Sequence, residues 1–337
     1  SAEEAQRLAQ ALLTAIKDFR FIWEGQNLWA GASIGLVAIN AESGGVTDIL
    51  RSADIACYKA KESGRGGVAI YAESDAGLKR LRSEMGWVPR IHHALEENLL
   101  QLYGQQIVPI SGPVGGLHFE VLLRLVETPG VVINAQEFIP AVERYSLGYS
   151  VDQWVVSSTL SALAARPNNL LRIDTCTINL SAQSLIKEDF VGYAVAELKR
   201  SGVPAAKICF EITETAAITN LPQAQHFIAA LRALGCRFSL DDFGSGLSSF
   251  QYLKMLDVDY VKIDGTFVRN FLSAPSQIAI VKSINEIAHA MGKQTIAESV
   301  EDDLIRDKLR EMGVDYVQGI AIGLQQPMEA LFNGSGF

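Results

Sequence analysis

The chain has 337 residues, 48% hydrophobic and 20% charged, with a formal net charge of −9. That length suits one large or two medium globular domains, and the acidic excess argues against a general nucleic-acid-binding surface. No apolar run approaches the ~20 residues that span a bilayer, which excludes a transmembrane helix. The opening SAEEAQRLAQ has no charged-then-apolar signal pattern. Cys57, Cys176, Cys209 and Cys236 lack short metal spacings, and three of them lie in apolar strand-like runs. Free thiols in a reducing cytoplasm are expected.

From residue 1 to residue 72 the pattern predicts helix, strand, helix, strand. Leu8, Leu12, Leu13 and Ile16 recur at helical spacing between Ser1 and Lys17. Trp29 to Ile39 reads as a strand, ILRSADIACYKAKESG as an amphipathic helix ending at Gly64, and GGVAIYA as a closing strand. The runs SIGLVAI and ADIACYKAKESGR resemble the C-terminal half of a GGDEF domain, the diguanylate cyclase family. The resemblance implies that Lys61 and Arg65 match contacts to a nucleotide triphosphate. The signature hairpin of that family is missing here, so the resemblance implies a remnant without cyclase activity. It also implies upstream regions that would regulate the parent protein or tether it to a membrane.

Residues 73–100 predict a polar helical linker broken between Gly86 and Pro89, and with it the domain boundary. From residue 101 to about residue 330 one grammar repeats: amphipathic helix, glycine, short apolar strand, polar residue. ALRALG precedes CRFSLDD, AHAMG precedes KQTIAES, LREMG precedes VDYVQG, and LKRSGVPAA precedes KICFEIT. Gly202, Gly235, Gly292 and Gly313 stand where a helix C-terminus takes a left-handed residue. Alternating units predict a parallel sheet with crossover helices. About eight strands in roughly 235 residues predict an α/β fold of the closed (β/α)8, TIM-like kind rather than an open doubly wound sheet.

The strands finish on polar residues. HFEVLLRL carries Glu120, CTINLS Asn179, CFEITE Glu211, and RFSLDD both Asp241 and Asp242; YVKID, TIAES and YVQG bring Lys262, Glu298 and Gln318. In a barrel the C-terminal strand ends share one mouth. A single polar residue in an apolar strand is ordinarily a hydrogen-bonded core group, and Asp followed by Gly and Ser is ordinary turn chemistry. So many together would bury uncompensated charge at a cost of several kcal/mol each. Glu120, Asn179, Glu211 and Asp241 suit one octahedral Mg2+ or Mn2+, and Asp242 beside Asp241 suits a second ion. Ca2+, with its looser geometry, is expected to substitute poorly and to inhibit. Lys262 would position water or stabilise phosphoryl oxygens, and Glu298 would take a proton. Two chemistries fit this set: metal-dependent phosphodiester hydrolysis, and enolisation with a lysine base.

EVLLR at Glu120–Arg124, then FIPAVERYSL, TINLS, FEITE, DDFGSGLSSF, YVKIDGTFV, AESVE and VQG, follow in the order and spacing of an EAL domain. Nearly all of the chain from residue 101 to about residue 328 resembles that family of cyclic di-GMP phosphodiesterases. The resemblance implies hydrolysis of one phosphodiester bond of cyclic di-GMP to linear pGpG, in bacterial second-messenger signalling. It puts a first metal site on Glu120, Asn179, Glu211 and Asp241 and a second on Asp241 and Asp242. It gives Lys262 and Glu298 the orienting and activation of water, Gln318 the part of a pocket amide, and Gln105, Leu123 and Arg124 substrate contacts. Glu214 matches the glutamate that holds the loop Asp242–Ser249 in its working shape, and a homodimer through elements near that loop is implied. The alternative within the family is a receptor that binds cyclic di-GMP without cleaving it; such members usually lack ligand residues that are present here. The chain departs from the family pattern at Val121 in place of the motif's alanine, at Gln106 in place of proline and at Ser299 in place of glycine. It departs again in GIAIGLQQPM, where a glycine-then-proline pattern near a guanine-binding wall is typical.

Overall fold

The computed structural model describes residues 2–23, 26–29, 31–40, 43, 45–62, 66–71, 76–112, 115–128, 130–245, 250–269 and 271–333. It divides into two compact units, Ser1–Arg90 and Ile91–Phe337.

In the first unit a helix spans Ala2–Asp18, with Ala9 and Leu13 buried. Leu8 and Leu12, placed by their spacing on its apolar stripe, are instead 64% and 50% exposed. The strand expected over Trp29 to Ile39 is two separate pieces. Gln26–Trp29 forms an antiparallel hairpin with Arg20–Trp23, and Ile34–Leu36 pairs in parallel with Val68–Ile70. The helix Val46–Glu62 makes the crossover between the parallel strands. It packs so close to the first of them that a Cβ on Gly35 would lie 2.3 Å from the Ala53 carbonyl oxygen and 2.3 Å from the Cys57 nitrogen. Only glycine permits that approach. Gly64 and Arg65, expected at the end of this helix, lie outside the described residues, whereas Lys61 is on it and exposed.

The break expected between Gly86 and Pro89 does not occur. One helix runs Ala76–Glu96 with Pro89 inside it, and the division between the units falls within this helix. Proline forfeits one backbone bond and commonly costs about 3 kcal/mol in a helix interior. Burial of Trp87, whose ring lies 3.6 Å beneath the Arg90 guanidinium, offsets part of that cost.

In the second unit eight strands close into a barrel: β1 Leu100–Pro109, β2 Leu117–Thr128, β3 Ile173–Leu180, β4 Ile208–Thr213, β5 Arg237–Phe243, β6 Tyr260–Ile263, β7 Gln294–Ala297 and β8 Tyr316–Val317. Neighbours from β2 to β8 pair in parallel. The expected barrel is present with one strand reversed, because β1 is antiparallel to both β2 and β8. Residues 110–116 joining β1 to β2 are too few for the dozen or more that a parallel crossover needs. β2 continues beyond the barrel into a hairpin with Val131–Asn134, and a short strand, Gln326–Pro327, adds to β1 at Gly104 and Tyr103.

Side chains alternate along these strands. Phe210 and Phe238 face outward and pack edge-on against Phe227 of the helix Leu221–Arg232, with centroids 5.9 Å apart in each case. Fully burying each such ring contributes about 1.5–3 kcal/mol. Cys209 faces the axis and packs with Ile107, Tyr260 and Ile296 into a barrel floor. Glu211, two residues further along β4, stands one layer above that floor. Gly202, Gly235, Gly292 and Gly313 all have positive φ, as their cap positions require. Cys176, Cys209 and Cys236 are buried free thiols.

Candidate active site

Lys262 on β6 points into the barrel mouth and is 1% exposed. Its ammonium lies 2.7 Å from Glu211 Oε1, 2.7 Å from Glu298 Oε1, 3.2 Å from Glu120 Oε2 and 3.4 Å from Asp241 Oδ1. The strand register explains the convergence, since Asn179 pairs with Glu211 and Glu211 with Ser239. Asn179 Nδ2 donates to Glu120 Oε1 at 2.6 Å. All four residues expected to share a first cation are therefore within one or two contacts of a single point. Glu120 is not at a strand end; β2 runs eight residues beyond it.

Four carboxylates surround one ammonium, and Asp242 stands beside Asp241 and Glu298. Burial alone would lower the pKa of Lys262, but Asp241, Glu120, Glu211 and Glu298 outweigh it and hold the ammonium charged, well above its ordinary range. Burial tends to raise Glu120 too, yet Lys262 and the amides of Gln318 and Asn179 keep it below the usual carboxylate value. Glu211 is pushed well up by burial, more than Lys262 offsets, with Asp241 and Glu120 adding to the rise. Burial likewise takes Glu298 up to about 7 and Asp242 to about 6, the latter helped by Asp241 and Asp264. This much negative charge calls for protons or cations.

The residues fit divalent cations. Carboxylate oxygens of Asp241, Asp242 and Glu298 all lie within 4.8 Å of one another. Glu211 Oε2, Asp241 Oδ1 and Gln318 Oε1 are buried and accept no hydrogen bond, as oxygens reserved for a cation or its water would be. Half a turn of the Asn179 amide would present Oδ1 in place of Nδ2. Adjacent aspartates reach the same place through a bulge, because the register with β6 slips between Leu240 and Phe243 and Asp242 takes φ +55°. A non-glycine residue held there is a strained position of the kind that collects at functional sites.

Glu214 opens the helix Glu214–Thr219, is 3% exposed, and accepts the Gly244 N–H at 3.0 Å through Oε2. Gly244 has φ +100°. The rest of that loop, residues 246–249 with Gly246 and Ser249, lies outside the described residues. A cleft of about 480 Å3 opens above the carboxylates, lined among others by Gln105, Glu120, Asp242, Glu298 and Gln318. Neither Leu123 nor Arg124 is among its walls. Glu120, Leu122 and Arg124 share one side of β2 and Leu123 the other, so Leu122 lines the cleft where Leu123 was expected. Val121, on the side away from the carboxylates, is 3% exposed. Arg124 is 6% exposed; its Nη1 donates to the Leu123 carbonyl oxygen at 2.7 Å, its Nη2 to Gln325 Oε1, and its guanidinium lies 5.3 Å from the Tyr103 ring.

Several cleft residues were not expected, Asp264 and Gln325 among them. Asp264 caps the helix Gly265–Val268 through the Thr266 N–H at 2.6 Å and stands against Asp242. Its place two residues after Lys262 was a usable signal. Gln325 lies in a loop within GIAIGLQQPM, where the departure from the family pattern marked the segment but not the residue.

A family model for the EAL domain matches residues 89–325. The cyclic di-GMP phosphodiesterase PdeB of Shewanella oneidensis is 40% identical over 324 residues, which cover 96% of this chain and 37% of that protein. The cyclic di-GMP phosphodiesterase PdeF of Escherichia coli is 30% identical over 333 residues, covering 97% and 43%. The chain thus spans about two fifths of the length of these relatives. Among solved structures, the PaMucR phosphodiesterase in complex with c-di-GMP superposes with a TM-score of 0.68 at 27% identity, covering 73% of this chain and 99% of that one. The FimX EAL domain from Pseudomonas aeruginosa bound to c-di-GMP gives 0.65 at 28%, covering 71% and 96%.

Proposed function

This chain belongs to the EAL domain family, and from that premise we propose that it hydrolyses cyclic di-GMP to linear pGpG with Mg2+ or Mn2+. The observation that carries the reading is the ring of four carboxylates around the buried Lys262, with Asp242 beside Asp241. Glu120, Asn179, Glu211 and Asp241 would hold one cation, and Asp241 with Asp242 a second. When bound, such ions neutralise charge on the phosphoryl oxygens and acidify water. Lys262 keeps its proton and orients the attacking water. Glu298, poised at about 7, accepts the proton that this water gives up. The water oxygen forms a new bond to phosphorus while one bond from phosphorus to a ribose 3′ oxygen breaks, and that oxygen takes a proton from solvent. Gln105, Arg124 and Gln318 grip the dinucleotide, Leu122 lies against it, and Glu214 fixes the loop after Asp242 through Gly244.

Residues 1–72 are read as the C-terminal half of a GGDEF domain, a reading supported by the parallel strand–helix–strand unit there. Residues 73–100 then connect it to the phosphodiesterase, residues 101–330. The signalling role, a homodimer through the EAL domain, and a cytoplasmic setting complete the proposal. The buried free cysteines support the last, and among the described residues no helix is long and apolar enough to cross a membrane.

Incubation with cyclic di-GMP and Mg2+, followed by chromatography, tests the activity. Accumulation of pGpG is expected, with little in Ca2+ and a loss of at least ~100-fold for Glu120→Ala. Binding without product would favour the receptor alternative, and unchanged turnover in Glu120→Ala would remove the metal assignment.

A further inference from the structure

We propose that Gln325 is a positioning residue for the substrate-binding arginine, a role that rests on the cyclic di-GMP reading above. Gln325 precedes the strand Gln326–Pro327, whose pairing with β1 at Gly104 and Tyr103 brings it beside Gln105. A guanidinium has donors only, so toward Arg124 Gln325 must present Oε1, and it does. Its Nε2 then faces Gln105 Oε1 at 3.4 Å. The same Gln105 oxygen accepts from Gln318 Nε2 at 3.3 Å, which also donates to Glu120 Oε2 at 2.7 Å. Gln105 Nε2 closes on the Gly323 carbonyl oxygen at 3.0 Å.

The orientation of each amide is thus forced by its neighbour, from the guanidinium at one end to the Glu120 carboxylate at the other. Arg124 is nearly buried, so a side chain at 325 without an acceptor would leave one of its donors unpaired and the guanidinium free to leave its place. The arrangement belongs to this chain's own QQPM sequence, at the point where it departs from the glycine-then-proline pattern of the family. Gln325 lines the cleft without reaching the carboxylate ring, so its effect falls on substrate binding.

A double-mutant cycle tests this with two readouts: KM and kcat in Mg2+, and the Kd for cyclic di-GMP in Ca2+. Gln325→Ala is expected to raise KM and Kd about tenfold with kcat within about twofold. Gln325→Met, similar in bulk but without the amide, should match it, which separates hydrogen bonding from packing and guards against a misfolded alanine variant. In an Arg124→Ala background Gln325→Ala should add nothing. Wild-type Kd in both Gln325 variants, or an effect that adds in full to that of Arg124→Ala, would overturn the proposal. A protein that binds cyclic di-GMP without cleaving it defeats the hydrolase reading, while the cycle on Kd still decides the role of Gln325. A wild-type protein that does not bind cyclic di-GMP overturns both.

Discussion

At Ser299 the backbone has φ +54°, a conformation that costs an L-residue about 1–2 kcal/mol and glycine nothing. The family's glycine at this position is therefore a backbone requirement, and the serine is tolerated at a cost. Its Oγ recovers little, through a 3.4 Å contact from the exposed Arg269. Ser299→Gly is expected to stabilise the second unit by about 0.5–1 kcal/mol after the entropy glycine adds to the unfolded chain. Calorimetry should show its melting temperature rising by about 2 °C, and a fall would show that the hydroxyl matters more than the strain. Asp242 is the other strained residue of the cleft, and it carries a carboxylate that the account needs, so no relief is expected from replacing it.

At the scale of elements, the strand–helix–strand crossover of the first unit depends on Gly35. Gly35→Ala forces a methyl group against the backbone at Ala53 and Cys57, and overpacking of this kind costs about 1–3 kcal/mol. Hydrogen exchange in the helix Val46–Glu62 should accelerate correspondingly; unchanged protection would mean that helix and strand are not packed as described. Most elements were legible from periodicity and glycine caps, because the helices of the barrel bury one stripe and four of them stop at a glycine with positive φ, Gly202, Gly235, Gly292 and Gly313. Among the features misread, two have definable reasons. Pro89 looked like a helix end, and a packed Trp87 overrode that local signal. The reversal of β1 was available from the length of residues 110–116, but the strand pattern itself is the same whichever way a strand runs.

For the whole molecule, stability carries a pH signature from Asp152. Its carboxylate is buried and accepts from the Ser181 N–H and from the hydroxyls of Ser181 and Ser184 at 2.8, 2.6 and 2.6 Å. Burial, only partly offset by those bonds, pushes its pKa up from 3.8 to about 6. Between these values the folded state binds more protons than the unfolded one, so this contribution is present in acid and is lost as pH rises from 4 to 6. The slope is at most about 1.4 kcal/mol per pH unit. Denaturant titrations of wild type and Asp152→Asn should show their stability difference moving against the wild type over that window; a constant difference would refute the shift.

The site as a whole was legible because each strand carried its own polar residue and the barrel supplied the meeting point. The central position of Lys262 was not, because no sequence pattern says which strand's side chain will stand at the centre of a ring. The most direct measurement is anomalous diffraction at the manganese edge from crystals soaked in Mn2+. One peak is expected in contact with Glu120, Asn179, Glu211 and Asp241 and a second shared by Asp241 and Asp242. Manganese bound elsewhere, with these oxygens left to Lys262 alone, would contradict this.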